Sequence, residues 1–583
     1  MLRIKDILKK VLVYSWLASP MTFILLMMVS LVFCVIKFLE VAIFEKLVEA
    51  VTHVYNGQDI EVLLPSIIAL SAILILTPII ELIEFLVRGY FWRRGHGYMQ
   101  GLFHKRIGKK PLIDFEDNNA FDQMKKARLG SSETPNNIRI LIQILFLYMP
   151  FFAVVAYYLF TINPILMLVL LLIFIPLLLA EITKMNDNYE FENRVANIRR
   201  RMTYFEKCMT DKVHFKETLQ NDAYNFFSTK LLLSIHDFTT KHKKVYFKAF
   251  KIEAAMNSIN ILGYLGVITL LIVFLANGEI SISEFAAVYY AVDKITTMLK
   301  RLITDVGEVM EELATTSFLL DFLEDKPQNK CMAVVSKKVD IHLENLTFYY
   351  PNTRRPAVSE VSLTIPIGTS LAIVGENGSG KSTLSKLIMG LYQPHQGKVS
   401  YGLQDINDYA NDDKFDNVSA VFQDFSKYKL AVDENIKMSD TQSKYDVKEA
   451  IEKSNFNLSK LANKETTILS REFGGQDLSG GEWQRLAIAR GLYRQHDIIV
   501  LDEPTAAIDP IEEEHVFSTF RKASQDKTSI LVTHRLGSVQ FADMIAVMDD
   551  GKLVEVGTHD QLINQKGKYS ELFVSQAKWY KRA

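Results

Sequence analysis

At 583 residues the chain is too long for one ordinary core, and 49% hydrophobic content is high for a purely soluble protein. With 66 basic and 67 acidic residues the balance is near neutral, which excludes the bulk electrostatics of a nucleic-acid binder. Three cysteines, Cys34, Cys208 and Cys331, lie far apart and without metal-ligand spacing, so they read as plain thiols.

The apolar residues are concentrated before about residue 300, and the remainder has the mixed charge and glycine-rich turns of an α/β domain. Lys5, Lys9 and Lys10 precede the apolar run from Met21 in the manner of a signal peptide. No small-residue cleavage site follows, so an uncleaved anchor is expected. Residues 4–17 are amphipathic and are expected to lie along the cytoplasmic membrane face. Six stretches are long and apolar enough to span a bilayer, near residues 20–46, 63–90, 136–160, 163–184, 254–276 and 283–303. Long basic segments follow the second span (Arg93, Arg94, Lys105, Arg106, Lys109, Lys110) and the fourth (Arg199, Arg200, Arg201, Lys207). The opposite connections, residues 49–61, 161–164 and 276–282, contain no Lys or Arg. By the positive-inside rule the basic segments and both termini are expected to be cytoplasmic, in a multi-pass membrane protein.

Within these spans stand Lys37, Glu40, Glu81, Glu84, Arg88, Asp293 and Lys294. Lys37 and Glu40 are three residues apart and Glu84 and Arg88 four, spacings at which helical side chains pair locally. The competing reading is a polar translocation cavity. The apolar pattern is lost over residues 322–338, with Asp325, Lys326, Pro327 and Gln328, so the expected domains are 1–321, a linker over 322–338, and 339–583.

The soluble half opens on LAIVGENGSGKSTL from Leu371: a hydrophobic strand, a glycine-rich turn, then a helical pattern. Around Glu376, Asn377 and Ser379, the glycines Gly375, Gly378 and Gly380 permit close backbone approach to phosphate. Lys381 reaches the outer phosphates, Ser382 suits magnesium, and Thr383 continues the helix start. Residues 498–503, IIVLDE, read as a buried strand ending in two carboxylates. Alone that would be a core strand with solvated acids. Downstream of a phosphate loop, Asp502 suits the metal shell and Glu503 an attacking water. Between the two lies Leu478-Ser479-Gly480-Gly481-Glu482, a second helix start fit for an anion.

LSGGE resembles the signature motif of ATP-binding-cassette proteins, whose usual Gln is here Glu482. The resemblance extends over residues 340–575. It implies an α/β P-loop NTPase with antiparallel β and helical subdomains, binding ATP and Mg2+, joined to an all-α six-helix transmembrane domain. It further implies Tyr350, or its neighbour Tyr349, stacked on adenine; Gln423 at the magnesium; Asp509 at a dimer contact, near Ala506 where serine is more common; and His534 sensing γ-phosphate. Ser479 and Gly481 of one subunit would meet the phosphate held by the other. Glu472 resembles a residue that touches coupling helices, and residues 115–122 and 217–228 resemble those coupling helices.

Six spans followed by a cassette resemble an exporter-type half-transporter, a homodimer or one half of a heterodimer. The LSGGEWQR form is similar to bacterial exporters of antimicrobial or modified peptides, which makes a peptide the expected cargo. No peptidase domain precedes the spans, so a leader would be removed elsewhere. A drug or lipid exporter, a metallophore importer of exporter shape, an ATP-gated channel and a membrane-anchored regulatory ATPase are the alternatives.

Overall fold

The computed structural model describes residues 2–325, 338–408, 415, 417–443, 445–503, 527–535 and 539–581. Cys331, most of the expected linker, Ala506 and Asp509 lie outside this set. The chain divides into two units, one of residues 1–107 and 123–325, the other of residues 108–122 and 326–583.

The first unit is helical throughout its described length. α1 (Leu2–Ala18) covers the expected amphipathic segment. α2 (Pro20–Tyr55) starts with proline at its first position, where the missing N–H is no loss, and α3 (Leu63–Ile107) follows. The second unit's short α4 (Ile113–Glu116) comes next. α5 (Asn118–Gln143) runs through a π turn at Ile144–Tyr148 into α6 (Met149–Ile162). α7 (Pro164–Thr210) is capped by Asn163, whose side chain accepts from the Ile165 amide at 2.9 Å. α8 (Lys212–Gln220), α9 (Tyr224–Ala276) and α10 (Ile282–Glu324) complete the unit. α10 begins with a capping box in which the Ser281 and Glu284 side chains each take the other's backbone N–H.

Among the described residues four helical stretches are long and apolar enough to cross a membrane: Pro20–Tyr55, Ile60–Ile107, Asn118–Ile162 and Tyr224–Ala276. The fourth and sixth expected spans fall on α7 and α10, and α10 carries Glu284, Asp293 and Lys294 near its start. The intrahelical pairs expected from spacing are present, Lys37 with Glu40 at 3.4 Å and Glu84 with Arg88 at 3.8 Å. Cross-helix partners join them. Lys294 of α10 reaches Glu40 at 2.7 Å, Thr77 of α3 donates to Glu40 at 2.6 Å, and Gln143 of α5 donates to Glu84 at 2.6 Å. A buried carboxylate in an apolar helix is tolerated only with such partners.

The expected second coupling segment, 217–228, is not one helix. Asp211 caps α8 by accepting from the Val213 amide at 3.1 Å, and the Thr218 hydroxyl donates to the Cys208 carbonyl at 2.8 Å. The chain then turns through Asp222 at a left-handed φ of 49° before α9 starts. The local caps therefore place the short helix at 212–220. The first expected segment, 115–122, likewise begins earlier, as α4, and breaks at Asp117, whose carboxylate accepts from the Asn119 amide at 3.0 Å.

In the second unit, α4 is tied by Glu116, which accepts from the Tyr392 hydroxyl at 2.8 Å. The strands are β1 (Ile341–Phe348), β2 (Val358–Ile365), β3 (Ser370–Gly375), β4 (Gln396–Tyr401), β5 (Gln404–Asp405), β6 (Val418–Val421), β7 (Ile498–Asp502), β8 (Thr528–Val532), β9 (Met544–Asp549) and β10 (Lys552–Gly557). An antiparallel sheet has the order β2-β1-β4-β5; a second sheet, β10-β9-β3-β8-β7-β6, is parallel except for its β10 edge. The parallel strands read as continuous apolar runs because both faces are covered. Helices α11 (Lys381–Ile388), α12 (Val432–Lys437), α13 (Val447–Lys453), α14 (Gly480–Tyr493), α15 (His559–Gln565) and α16 (Lys568–Lys581) accompany them. Val432, Ile436, Ile451, Trp483 and Leu486 give α12, α13 and α14 a core of their own, the helical subdomain.

Candidate functional site

Parallel strands deliver their carboxyl ends to one edge of the sheet, where ligands of open α/β folds bind. β8 lies between β3 and β7, and the register aligns Ile373 and Asp502 with Val532. The loop from Gly375, the pair Asp502 and Glu503, and His534 are thus set side by side by backbone pairing.

The loop after β3 needs its glycines. Gly375 and Gly380 have φ of 150° and 97°, and a Cβ on either would run into a backbone oxygen, Met548 O or Ala357 O. Lys381 opens α11 and its Nζ donates to the Gly375 and Glu376 carbonyls at 3.0 and 2.8 Å. Burial pushes this ammonium below the ordinary lysine range, and the Glu503 and Asp502 charges oppose the shift. Ser379 is 4% exposed, yet its hydroxyl has no hydrogen-bond partner among the described residues, an orphan that an incoming anion would satisfy. Asn377 and Gly378 form the exposed tip, and Glu376 pairs with Lys568 at 3.2 Å.

The Ser382 hydroxyl donates to Asp502 Oδ1 at 3.1 Å. Asp502 is 5% exposed, and burial raises its pKa against that hydrogen bond. A buried carboxylate and a hydroxyl already at bonding distance are hard oxygen donors, a set that fits magnesium. Glu503 follows with a left-handed φ of 46°, its amide held by the Val532 carbonyl at 2.9 Å. Its Oε1 lies 2.9 Å from His534 Nδ1. Gln423 stands exposed just beyond β6. Tyr350 and Tyr349 separate cleanly. The Tyr350 hydroxyl is 3.1 Å from Thr383 Oγ1 on α11, whereas the Tyr349 ring packs against His395 at 5.4 Å.

Ser479 and Glu482 form a capping box that starts α14, with Gly480 and Gly481 in its first turn. Glu482 accepts from the Ser479 amide at 2.9 Å and from its hydroxyl at 2.8 Å. These two donors, with Lys460 beyond, hold the Glu482 carboxyl below the usual carboxylate range. Glutamate serves a capping box as well as glutamine does, which accounts for the departure from LSGGQ.

The ABC transporter family profile matches residues 358–506. The chain is 32% identical over 403 residues to the nisin transport ATP-binding protein of Lactococcus lactis subsp. lactis, 65% of each chain. It is 27% identical over 484 residues to the subtilin transport ATP-binding protein of Bacillus subtilis, covering 81% of this chain and 78% of that one. An ATP-dependent lipid A-core flippase of Photobacterium profundum is 33% identical over 299 residues, and the match spans about half of that relative (51%). In fold, the chain superposes on a bacterial Atm1-family ABC exporter with ATP bound at a TM-score of 0.78 and 19% identity, covering 95% of this chain and 99% of the other. Residues 358–506 are those of an ABC transporter domain.

In this domain the sequence motifs left some contributors unseen. Arg490 of α14 donates to the Ser426 carbonyl at 2.7 Å and to the Asn435 carbonyl at 3.1 Å, bracing the segment that follows Gln423. The arginine is buried enough that its pKa is lowered. Its only signal in sequence is its place three turns into the signature helix, where a solvated arginine reads the same. Glu472 lies in a short 3-10 turn, Arg471–Phe473, and pairs with Lys429.

Proposed function

We propose that the chain is one half of a homodimer that hydrolyses ATP to move a solute, a peptide above all, out of the cytoplasm across the plasma membrane. One observation supports this most: a single unit presents two helix starts suited to phosphate, the loop before α11 and the Ser479 cap of α14. ATP held at Lys381 in one copy would meet Ser479 and Gly481 of the second, so closure binds nucleotide between the copies and opening releases it. Differential affinity of ATP for the closed dimer then biases the membrane helices between two accesses.

At each site Lys381, the Gly375, Gly378 and Gly380 backbone, Ser379 and Thr383 would hold the phosphates, with Tyr350 against the base. Ser382, Asp502 and Gln423 would hold Mg2+, which supplies charge neutralisation at the phosphates. Glu503 orients and deprotonates the attacking water, and His534 fixes the Glu503 carboxylate through their 2.9 Å contact. Both termini and α4 and α8 lie on the cytoplasmic side.

The names of the nisin and subtilin relatives support peptide cargo. The flippase match supports a lipid instead. The test is ATP-dependent accumulation in inside-out vesicles carrying the purified protein, with nisin and a labelled lipid in parallel arms. Peptide uptake that stops with Glu503→Gln supports the proposal. Lipid transfer alone, or ion current without uptake, refutes it.

A further inference from the structure

We infer that α16 is a positioning element for the switch histidine, and that Gln576 acts on ATP turnover by holding the His534 backbone. The inference rests on the ATPase reading above. Its basis is a chain of contacts within the second unit. Past the end of β8 the His534 carbonyl has no strand partner among the described residues, and Gln576 Nε2 donates to it at 2.5 Å. The flanking peptides are also held, Thr533 N by the Ile373 carbonyl at 3.1 Å and Arg535 N by Thr533 Oγ1 at 3.0 Å. The imidazole, aimed at Glu503, therefore hangs from a backbone fixed on three sides.

Gln576 can serve this role because α16 is itself immobilised. Its first amides are taken by Glu555 of β10, whose oxygens accept from Lys568 N at 2.5 Å and Tyr569 N at 3.1 Å. A carboxylate at a helix start is doubly favoured, by hydrogen bonding and by the helix dipole. Tyr569 is fully buried among Ala372, Val374, Val539, Ile545 and Val547, beneath the phosphate-loop strand. Its hydroxyl meets His559 Nδ1 at 2.8 Å, so the ring cannot rotate freely. Gln576 stands seven residues, two turns, beyond Tyr569, and so shares its face. At the other end Lys568 pairs with Glu376 of the phosphate loop at 3.2 Å and with Asp549 at 3.5 Å. One rigid helix thus touches both the loop that holds phosphate and the loop that follows β8. No motif of the nucleotide site includes either residue.

The experiment measures Mg-ATP hydrolysis by the full-length chain in lipid nanodiscs, comparing Gln576→Glu and Gln576→Lys with the unaltered protein. Glutamate is isosteric but brings an acceptor against a carbonyl; lysine keeps a donor of similar reach. Gln576→Glu should lower kcat about fivefold to tenfold, with KM for ATP within about twofold, as expected for loss of one hydrogen bond to a catalytic support. Gln576→Lys should keep kcat within about twofold. Unchanged kcat in Gln576→Glu, an equal fall in both variants, or a fall accompanied by lost ATP binding would overturn the inference. Absence of turnover that Glu503→Gln can abolish in the unaltered chain would instead remove the ATPase reading, and the inference with it.

Discussion

Glu503→Gln isolates one negative charge while leaving almost everything around it in place. The residue's left-handed φ of 46° is set by the strand end and by its amide bond to Val532, neither of which depends on the side chain. A glutamine Oε1 can still accept from His534 Nδ1 across the present 2.9 Å. What disappears is the ability to take a proton from water and to orient it by charge. Positioned general bases contribute about 10²–10⁴-fold, or about 3–5 kcal/mol on the barrier. Phosphate contacts come from Lys381 and the loop amides, and removing an acid beside them reduces repulsion toward the nucleotide. Affinity for ATP should therefore hold or rise. Steady-state phosphate release and equilibrium binding of a fluorescent ATP analogue read the two effects separately. Turnover within about tenfold of wild type would refute the role given to Glu503, as would loss of binding in parallel with turnover.

Gly380→Ala should abolish ATP binding, because the new Cβ meets the Ala357 carbonyl oxygen in a backbone that already sits at φ 97°, a strain of about 1–3 kcal/mol at the loop itself; retained affinity for a fluorescent ATP analogue would contradict the geometry. His496, 4% exposed, has its imidazole pushed down to about 4, first by burial and then by neighbouring Lys527. Because the folded value lies below the unfolded one, its contribution is complete above about pH 6.5 and is lost as pH falls toward about 4, up to about 3 kcal/mol in all. His496→Gln should flatten the pH dependence of the unfolding temperature across that window, and an unchanged slope would show that other groups govern it.

Motifs whose chemistry is carried by neighbours in the chain were legible because local spacing fixes their backbone. The glycine loop before Lys381, the carboxylates closing β7 and the Ser479–Glu482 box each need only a few consecutive residues in a defined conformation. Pairs at helical spacing, Lys37 with Glu40 and Glu84 with Arg88, were legible for the same reason. The shift of the second short helix to 212–220 was not, because a cap at Asp211 outweighed the expected frame.

The sequence by itself determined an apolar helical part followed by an α/β part and the order of the motifs along the second, but not that residues 108–122 would join the second unit. The tertiary structure decided which distant groups meet: Lys294 with Glu40, Tyr392 with Glu116, Arg490 with the segment after Gln423, and Gln576 with His534. Those contacts depend on how each helix is rotated and on which strands pair, and both are fixed by burial of apolar faces over the whole fold. No short window of sequence encodes that sum. The residues proposed to bind phosphate sit on consecutive backbone, whereas the contacts that hold His534 and the segment after Gln423 come from elements 42 and 64 positions away.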